Sequence, residues 1–151
     1  MIYTRTVVNS IFANYPFISA VIAMLLAQVL KLFYYLYKEK KINFRYLVLS
    51  GGMPSSHSAL VAALATAVGL QEGFGTSLFA VAVCFALIVL YDAAGVRRAA
   101  GKQAKVLNVI ISDLMDAKKF DGEKLKEFIG HTPMEVVAGV AFGMVIAFLL
   151  Y

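Results

Sequence analysis

Four apolar stretches separated by polar segments dominate the pattern of this chain. They run from about Pro16 to Tyr37, Pro54 to Leu70, Thr76 to Ala94 and Pro133 to Tyr151. None alternates apolar and polar residues with the period of two that a half-buried strand requires, so each predicts a helix. Helices satisfy their own backbone hydrogen bonds, and apolar helices of this length therefore cross membranes.

The second stretch, of about 16 residues, is short for a complete crossing. Tilting, local thinning of the bilayer and a partly re-entrant path are all compatible with it. We predict an all-α integral membrane bundle of about four transmembrane helices, the second one short. One membrane-embedded domain over residues 1–151 is expected from the length.

The polar stretch between Gly95 and His131 contains a further helical pattern. Apolar residues recur at helical spacing at Val106, Leu107, Ile110, Ile111 and Leu114. They predict an amphipathic helix over Gln103–Met115 that lies on the cytoplasmic membrane surface or covers the site. A second short helix is predicted over Glu123–Ile129, with Asp121 as its cap.

Basic residues concentrate in two of the connections. Four follow the first stretch (Lys38, Lys40, Lys41, Arg45) and eight follow the third (Arg97, Arg98, Lys102, Lys105, Lys118, Lys119, Lys124, Lys126). Four crossings place both connections on one side, which the positive-inside rule makes the cytoplasmic side of the plasma membrane. The chain is 61% hydrophobic with a net charge of +5, and we attribute this charge to anionic lipid rather than to a nucleic-acid partner.

The only two histidines of the chain stand at the starts of apolar stretches, His57 in Met53–Ser58 and His131 in Gly130–Glu135. Glycine and serine before a helix start offer amides and hydroxyls to a phosphate, and an imidazole there can protonate a leaving oxygen. The simpler interpretation is that Ser55 or Ser56 only caps the helix.

His131 is followed four positions later by Glu135. If both are helical they face each other, and the carboxylate can orient an imidazole that attacks phosphorus. Thr132 and Glu135 also form a capping-box pattern, which is a competing explanation for the carboxylate. For His131 the competing explanation is an exposed loop residue.

Four charged residues lie in or beside the apolar stretches. Asp92 ends the third one and needs a partner, either Lys31, an arginine or an imidazole. Arg97 and Arg98 can bind phosphate through their planar forks, or can meet lipid headgroups. We favour Arg97 as the inward one. Lys31 either extends to the membrane interface or reaches a phosphate.

These residues resemble the divergent branch of the type-2 phosphatidic acid phosphatase family, which is related to the vanadium-dependent haloperoxidases. Three motifs carry the resemblance, Ser50–Ser58, Tyr91–Arg98 with Gln103 and Asn108, and Gly130–Val136. It covers about Gln28 to Tyr151. The resemblance implies that Pro54–His57 is the central phosphate-binding motif, with His57 as general acid and His131 as nucleophile.

The chain departs from the family pattern at several positions. Glu135 stands where an aspartate is expected, and Ser56 replaces a glycine. The arginine expected just before the nucleophile lies 34 residues earlier (131 − 97), at Arg97. Lys38 and Arg45 match the first motif, but Tyr46 replaces its proline, and Lys31 is the rival lysine. The reverse assignment, with His57 as nucleophile, Asp92 as its partner and His131 as acid, stays open.

The resemblance implies a metal-independent, cofactor-free phosphatase of a membrane lipid that forms a phosphohistidine at the cytoplasmic face. Phosphatidylglycerophosphate is the favoured substrate because bacteria make it at that face; an isoprenyl diphosphate and phosphatidic acid stay open. A homo-oligomer is compatible with so small a bundle. The rival functions are a non-catalytic protein that binds anionic headgroups or partners, and a transporter subunit with Lys31 and Asp92 along its path.

Overall fold

A computed structural model describes residues 10, 12–40, 51–116, 125 and 130–151 of the chain. Regular structure within these residues is entirely helical. The elements are α1 (Tyr15–Glu39), α2 (Ser56–Glu72), α3 (Ser77–Tyr91), a π-helical turn (Asp92–Val96), α4 (Arg97–Asp116) and α5 (Pro133–Leu150).

Side-chain caps explain where four of the helices begin. Asn14, Ser55, Thr76 and Thr132 each accept a hydrogen bond from an amide in the first turn of the helix that follows. At Thr132 the bond is reciprocal, because the carboxylate of Glu135 accepts from the Thr132 amide. The predicted capping box is therefore confirmed.

Helix α2 lies at the centre of the bundle and packs against α1, α3 and α5. Helix α1 runs antiparallel to α5, since the Tyr15 hydroxyl near the start of α1 donates to the Ala147 carbonyl near the end of α5. Helices α2 and α5 begin at the same end, where the Ser55 amide donates to the Glu135 carbonyl over 3.1 Å. The starts of α2 and α5 thus meet the ends of α1 and α3.

Small residues bring α2 and α5 into close contact. Ten residues of α2 are buried, and all of them are serine, alanine, valine or glycine. A Cβ added at Gly139 of α5 would overlap the Ser55 carbonyl, and one at Gly143 would overlap the backbone of Ala59. Glycines four residues apart are the usual means of such close approach between membrane helices. This contact holds the two helix starts together.

Within the described residues, three helical stretches are long and apolar enough to cross a membrane, Tyr15–Lys38, Ser77–Ser112 and Pro133–Leu150. Helix α2 has 17 residues, or about 25 Å of length, which is less than the hydrocarbon layer of about 30 Å. The predictions of an all-α membrane bundle and of a short second helix are confirmed.

The junction after α3 differs from the prediction. Instead of a break before a separate helix at Gln103, the helix continues through the π-helical turn into α4, which begins at Arg97. Alanines, arginines and a lysine between Arg97 and Lys102 are compatible with a helix, although they end the apolar pattern. The predicted helix over Glu123–Ile129 and its cap Asp121 lie outside the described residues, apart from Leu125.

Candidate active site

The two imidazoles, about 70 residues apart in sequence, meet at one end of the bundle. The ring centroids of His57 and His131 are 6.4 Å apart, and the ring planes are inclined by 76°. They meet because α2 and α5 begin side by side. His57 is exposed and His131 is buried, so the pair presents one accessible and one enclosed imidazole.

The segment before His57 is shaped by close packing and by a cap. Gly52 has a φ of 100°, and a Cβ there would contact the ring of Tyr35 in α1. Ser55 caps α2 through its hydroxyl, which also accepts a 2.9 Å bond from the Ser58 hydroxyl. This geometry favours glycine at position 52 and fixes the serines in the start of α2.

The amide expected to bind phosphate at Ser55 already donates to the Glu135 carbonyl. Its hydroxyl is also occupied by the cap, so Ser55 has a structural role in this state. The amides of Ser56 and His57 lie in the first helical turn, where no intrahelical carbonyl is available to them. These two amides are the better placed to meet an anion.

His131 is held by its backbone while its ring is enclosed. Its amide donates to the Ala93 carbonyl over 3.2 Å. The side chain is 1% exposed, and neither ring nitrogen has a hydrogen-bond partner among the described residues. An unpaired buried polar group costs about 1–3 kcal/mol. An orphaned imidazole beside cationic residues therefore points to an anionic or water partner.

Burial, first, and the charges of Lys31, His57 and Arg97 together lower the pKa of His131 to about 4. A ring with this pKa is neutral at pH 7. One of its nitrogens then carries a free lone pair, which is the state that a nucleophilic imidazole requires.

Gly130 lets the chain reach this position. A Cβ added there would overlap the backbone of Arg97 and Arg98. The residue before the buried imidazole therefore lies directly against the start of α4. Any larger residue at position 130 must push the His131 segment away from that helix.

Of the two candidate lysines, the structure brings Lys31 to the site. Lys31 is fully buried, and its charge acts on both histidines. Lys38 is exposed in the last turn of α1, about two turns, or 10 Å, further along the helix. Arg45 lies outside the described residues.

Asp92 is paired with Arg97 across the π-helical turn. The Arg97 Nε donates to the Asp92 Oδ2 over 2.6 Å. Of the three partners considered for Asp92, the structure thus selects an arginine. The bond uses Nε and leaves the two terminal nitrogens of the guanidinium for an anion. Arg97 also acts electrostatically on both imidazoles, whereas Arg98 is exposed.

Glu135 does not face His131 in the way that a shared helix would require. Thr132, which lies between them, is an extended N-cap with a φ of −73° and a ψ of 153°, so His131 is outside α5. The carboxylate of Glu135 instead accepts from the Thr132 amide over 3.0 Å. Glu135 is therefore a cap here, and it is also an electrostatic partner of Lys31.

Across the described ranges, no three His, Cys, Asp or Glu side chains lie close enough together to hold a metal ion. Of the lysines and arginines that the structure describes, Lys31 and Arg97 act on both imidazoles. The site as a whole combines two adjacent imidazoles with a buried ammonium and a guanidinium held by Asp92.

Asn108 of α4, which the sequence indicates only as part of a motif that carries the family resemblance, is a contact residue. It is 6% exposed and is hydrogen-bonded to Leu125 through both ends of its carboxamide. Ala104 and Gly101, one and two turns before it, are buried on the same side of α4. Small residues at these helical spacings were the feature of the sequence that indicated a buried side of α4.

Comparison with known proteins gives two matches. The Divergent PAP2 family matches residues 12–146. A protein of Bacillus subtilis (strain 168), described as the uncharacterized membrane protein YuiD, is 41% identical over 148 aligned residues, which cover 91% of this chain and 94% of the relative. No solved structure matches the chain.

Proposed function

Because the chain belongs to the Divergent PAP2 family, we propose that it is a membrane lipid phosphatase that hydrolyses a phosphate monoester through a phosphohistidine. The observation that carries the proposal is the meeting of His57 and His131 at 6.4 Å, with Lys31 and Arg97 acting on both rings. Two imidazoles and two cations are the groups needed to attack, stabilise and protonate a phosphate ester.

In the first step His131 attacks phosphorus. A P–N bond forms, the P–O bond to the lipid breaks, and His57 in its protonated form donates its proton to the departing alcohol oxygen. The neutral state of His131 supports its role as nucleophile, and the exposure of His57 suits proton exchange with water.

In the second step a water molecule attacks the phosphohistidine. His57, now neutral, accepts a proton from this water, the P–N bond breaks, and inorganic phosphate leaves. Lys31, the terminal nitrogens of Arg97 and the amides of Ser56 and His57 stabilise the charge on the phosphoryl oxygens in both steps. Asp92 acts through Arg97, whose Nε it holds. No metal ion takes part in this scheme.

We place the site at the cytoplasmic face of the plasma membrane. Lys38 lies in the last turn of α1 and Arg98 in the first turn of α4, at the end of the bundle that carries the histidines. The positive-inside rule supports a cytoplasmic location for this end. Phosphatidylglycerophosphate, a lipid monoester produced at that face, is the substrate to test first.

The proposal is tested by phosphate release from purified protein in nanodiscs. Phosphatidylglycerophosphate, phosphatidic acid and an isoprenyl diphosphate are assayed in parallel with a chelator present. We expect turnover of a monoester, inhibition by vanadate, and loss of at least about 1,000-fold in His57→Ala and His131→Ala. Gln71→Ala, at an exposed residue of the opposite end of α2, is the matched control and keeps full activity.

The same assay separates the rival functions. Lipid binding without phosphate release by any member of the panel indicates a non-catalytic headgroup-binding protein. Turnover that survives both histidine substitutions removes the histidine mechanism. Movement of a solute across sealed vesicles that is lost in Lys31→Met, without hydrolysis, indicates a transporter.

A further inference from the structure

Asn108 lies too far from the histidines to touch a phosphate held between them. It follows Arg97 by about three turns of α4, or roughly 16 Å. Its side chain is nevertheless buried. A polar side chain buried away from the reaction centre needs a structural partner, because leaving it unpaired costs free energy.

One such partner is the backbone of Leu125. The Asn108 Nδ2 donates to the Leu125 carbonyl over 2.8 Å, and the Leu125 amide donates to the Asn108 Oδ1 over 2.8 Å. Only a carboxamide offers a donor and an acceptor side by side in this way. The two residues are 17 positions apart in sequence, and the two bonds attach Leu125 to α4.

Two further contacts attach residues beside the site to the same continuous helix. Gly130 packs against the backbone of Arg97 and Arg98, and the His131 amide donates to the Ala93 carbonyl. Leu125, Gly130 and His131 are therefore each attached to the continuous helix that begins at Ser77. This helix acts as a template on which the buried imidazole is placed.

We propose that Asn108 is a positioning residue for His131, which it places through the Leu125 backbone. The inference rests on the proposed function for the role of His131 as nucleophile. The position of the His131 ring can be measured whether or not the protein is a phosphatase. Without the carboxamide, Leu125 loses its attachment to α4, and the imidazole leaves its enclosed position for part of the time.

Diethyl pyrocarbonate, which acylates neutral imidazoles, measures this placement directly. The chain has two histidines, and mass spectrometry of peptides reports each one separately. In the unaltered protein we expect His57 to react and His131, at 1% exposure, to be protected. In Asn108→Ala we expect His131 to react about tenfold faster or more, with the His57 rate unchanged. Gln71→Ala is the control for loss of an exposed carboxamide.

Asn108→Asp is the second variant, in case Asn108→Ala does not fold. It keeps the side-chain volume and the bond from the Leu125 amide, but it places an oxygen against the Leu125 carbonyl. We expect a smaller increase in His131 reactivity, in a protein whose His57 rate and helical content match the original. Continued protection of His131 in either folded variant overturns the proposal.

Kinetics with a lipid phosphate add the functional consequence. We expect kcat to fall about tenfold or more in Asn108→Ala while KM changes less than threefold, because the phosphate-binding groups stay in place. If no lipid phosphate is hydrolysed by the unaltered protein, the proposed function fails, and the acylation rates still decide whether Asn108 places His131.

Discussion

Because His131 is enclosed, we predict that its imidazole titrates at a lower pH than an ordinary histidine. The chain has only two histidines, so isotope labelling of histidine can resolve the two titrations. The ordinary pKa of histidine is about 6.5, and burial with the charges of Lys31, His57 and Arg97 lowers that of His131 to about 4. The difference of about 2.5 units corresponds to roughly 3 kcal/mol that favour the neutral ring. The pKa of His131 is lower in the folded protein than in the unfolded chain, so the unfolded chain takes up the proton more readily. The free energy of unfolding is therefore highest above about pH 6.5 and falls as the pH is lowered toward 4.

The assay is NMR of protein carrying isotope-labelled histidine in nanodiscs, with His131→Phe used to assign the signals. We expect the His131 ring to titrate below about pH 5. The free energy of unfolding of the unaltered protein, measured against that of His131→Phe, should decline between pH 6.5 and 4. Adding vanadate or phosphate at the site should raise the His131 pKa, because an anion stabilises the protonated ring.

A His131 ring that titrates near 6.5, without response to added anion, would refute this reasoning. It would show that the ring is solvated and that the cations do not act on it. His57 provides the internal comparison, since it lies in the same site with an exposed side chain.

Three further predictions concern packing, cation choice and the surface helix. Gly143→Val should lower the free energy of unfolding by about 1–3 kcal/mol or more, because its side chain overlaps the α2 backbone; reversible unfolding in detergent measures this, with Gly75→Ala, where a Cβ contacts nothing, as control. Lys31→Met should reduce kcat/KM for a lipid phosphate about 100-fold, since it removes a charged contact to the phosphate, while Lys38→Met stays within about threefold; equal losses would contradict the choice of lysine. Nitroxide labels at Val106, an exposed apolar residue of α4, should enter the bilayer interface of anionic vesicles and be shielded from a water-soluble relaxant, unlike labels at Lys105; equal accessibility would argue against a surface-bound helix.

Much of the architecture could be predicted from the sequence because it depends on local patterns. Apolar runs without alternation identified the spanning helices, and Ser55 and Thr132 marked two helix starts through capping chemistry. The four-residue spacing of Gly139 and Gly143 was equally visible, although its meaning depends on which helix lies opposite. Helices are predictable from such patterns because the backbone in a membrane has few other ways to satisfy its hydrogen bonds.

The groups of the site could be named from the sequence, but their pairings could not. Asp92 had three plausible partners, and only the five-residue spacing of the π-helical turn places Arg97 against it. The prediction that His131 and Glu135 face each other required both to lie in one helix. In the structure Thr132 between them is extended, so His131 lies outside the helix. The contact of Asn108 with Leu125 joins residues in separate parts of the chain, and no periodicity encodes it.

The most direct test of the central claim is to trap the phosphoryl group on the protein. Purified protein is mixed with radiolabelled lipid phosphate, quenched within milliseconds under alkaline conditions that preserve phosphohistidine, digested and sequenced by mass spectrometry. The account predicts an acid-labile, base-stable phosphoryl group on His131, accumulation slowed in His57→Ala, and no label in His131→Ala. A phosphoryl group on His57, or hydrolysis without any labelled histidine, would contradict it.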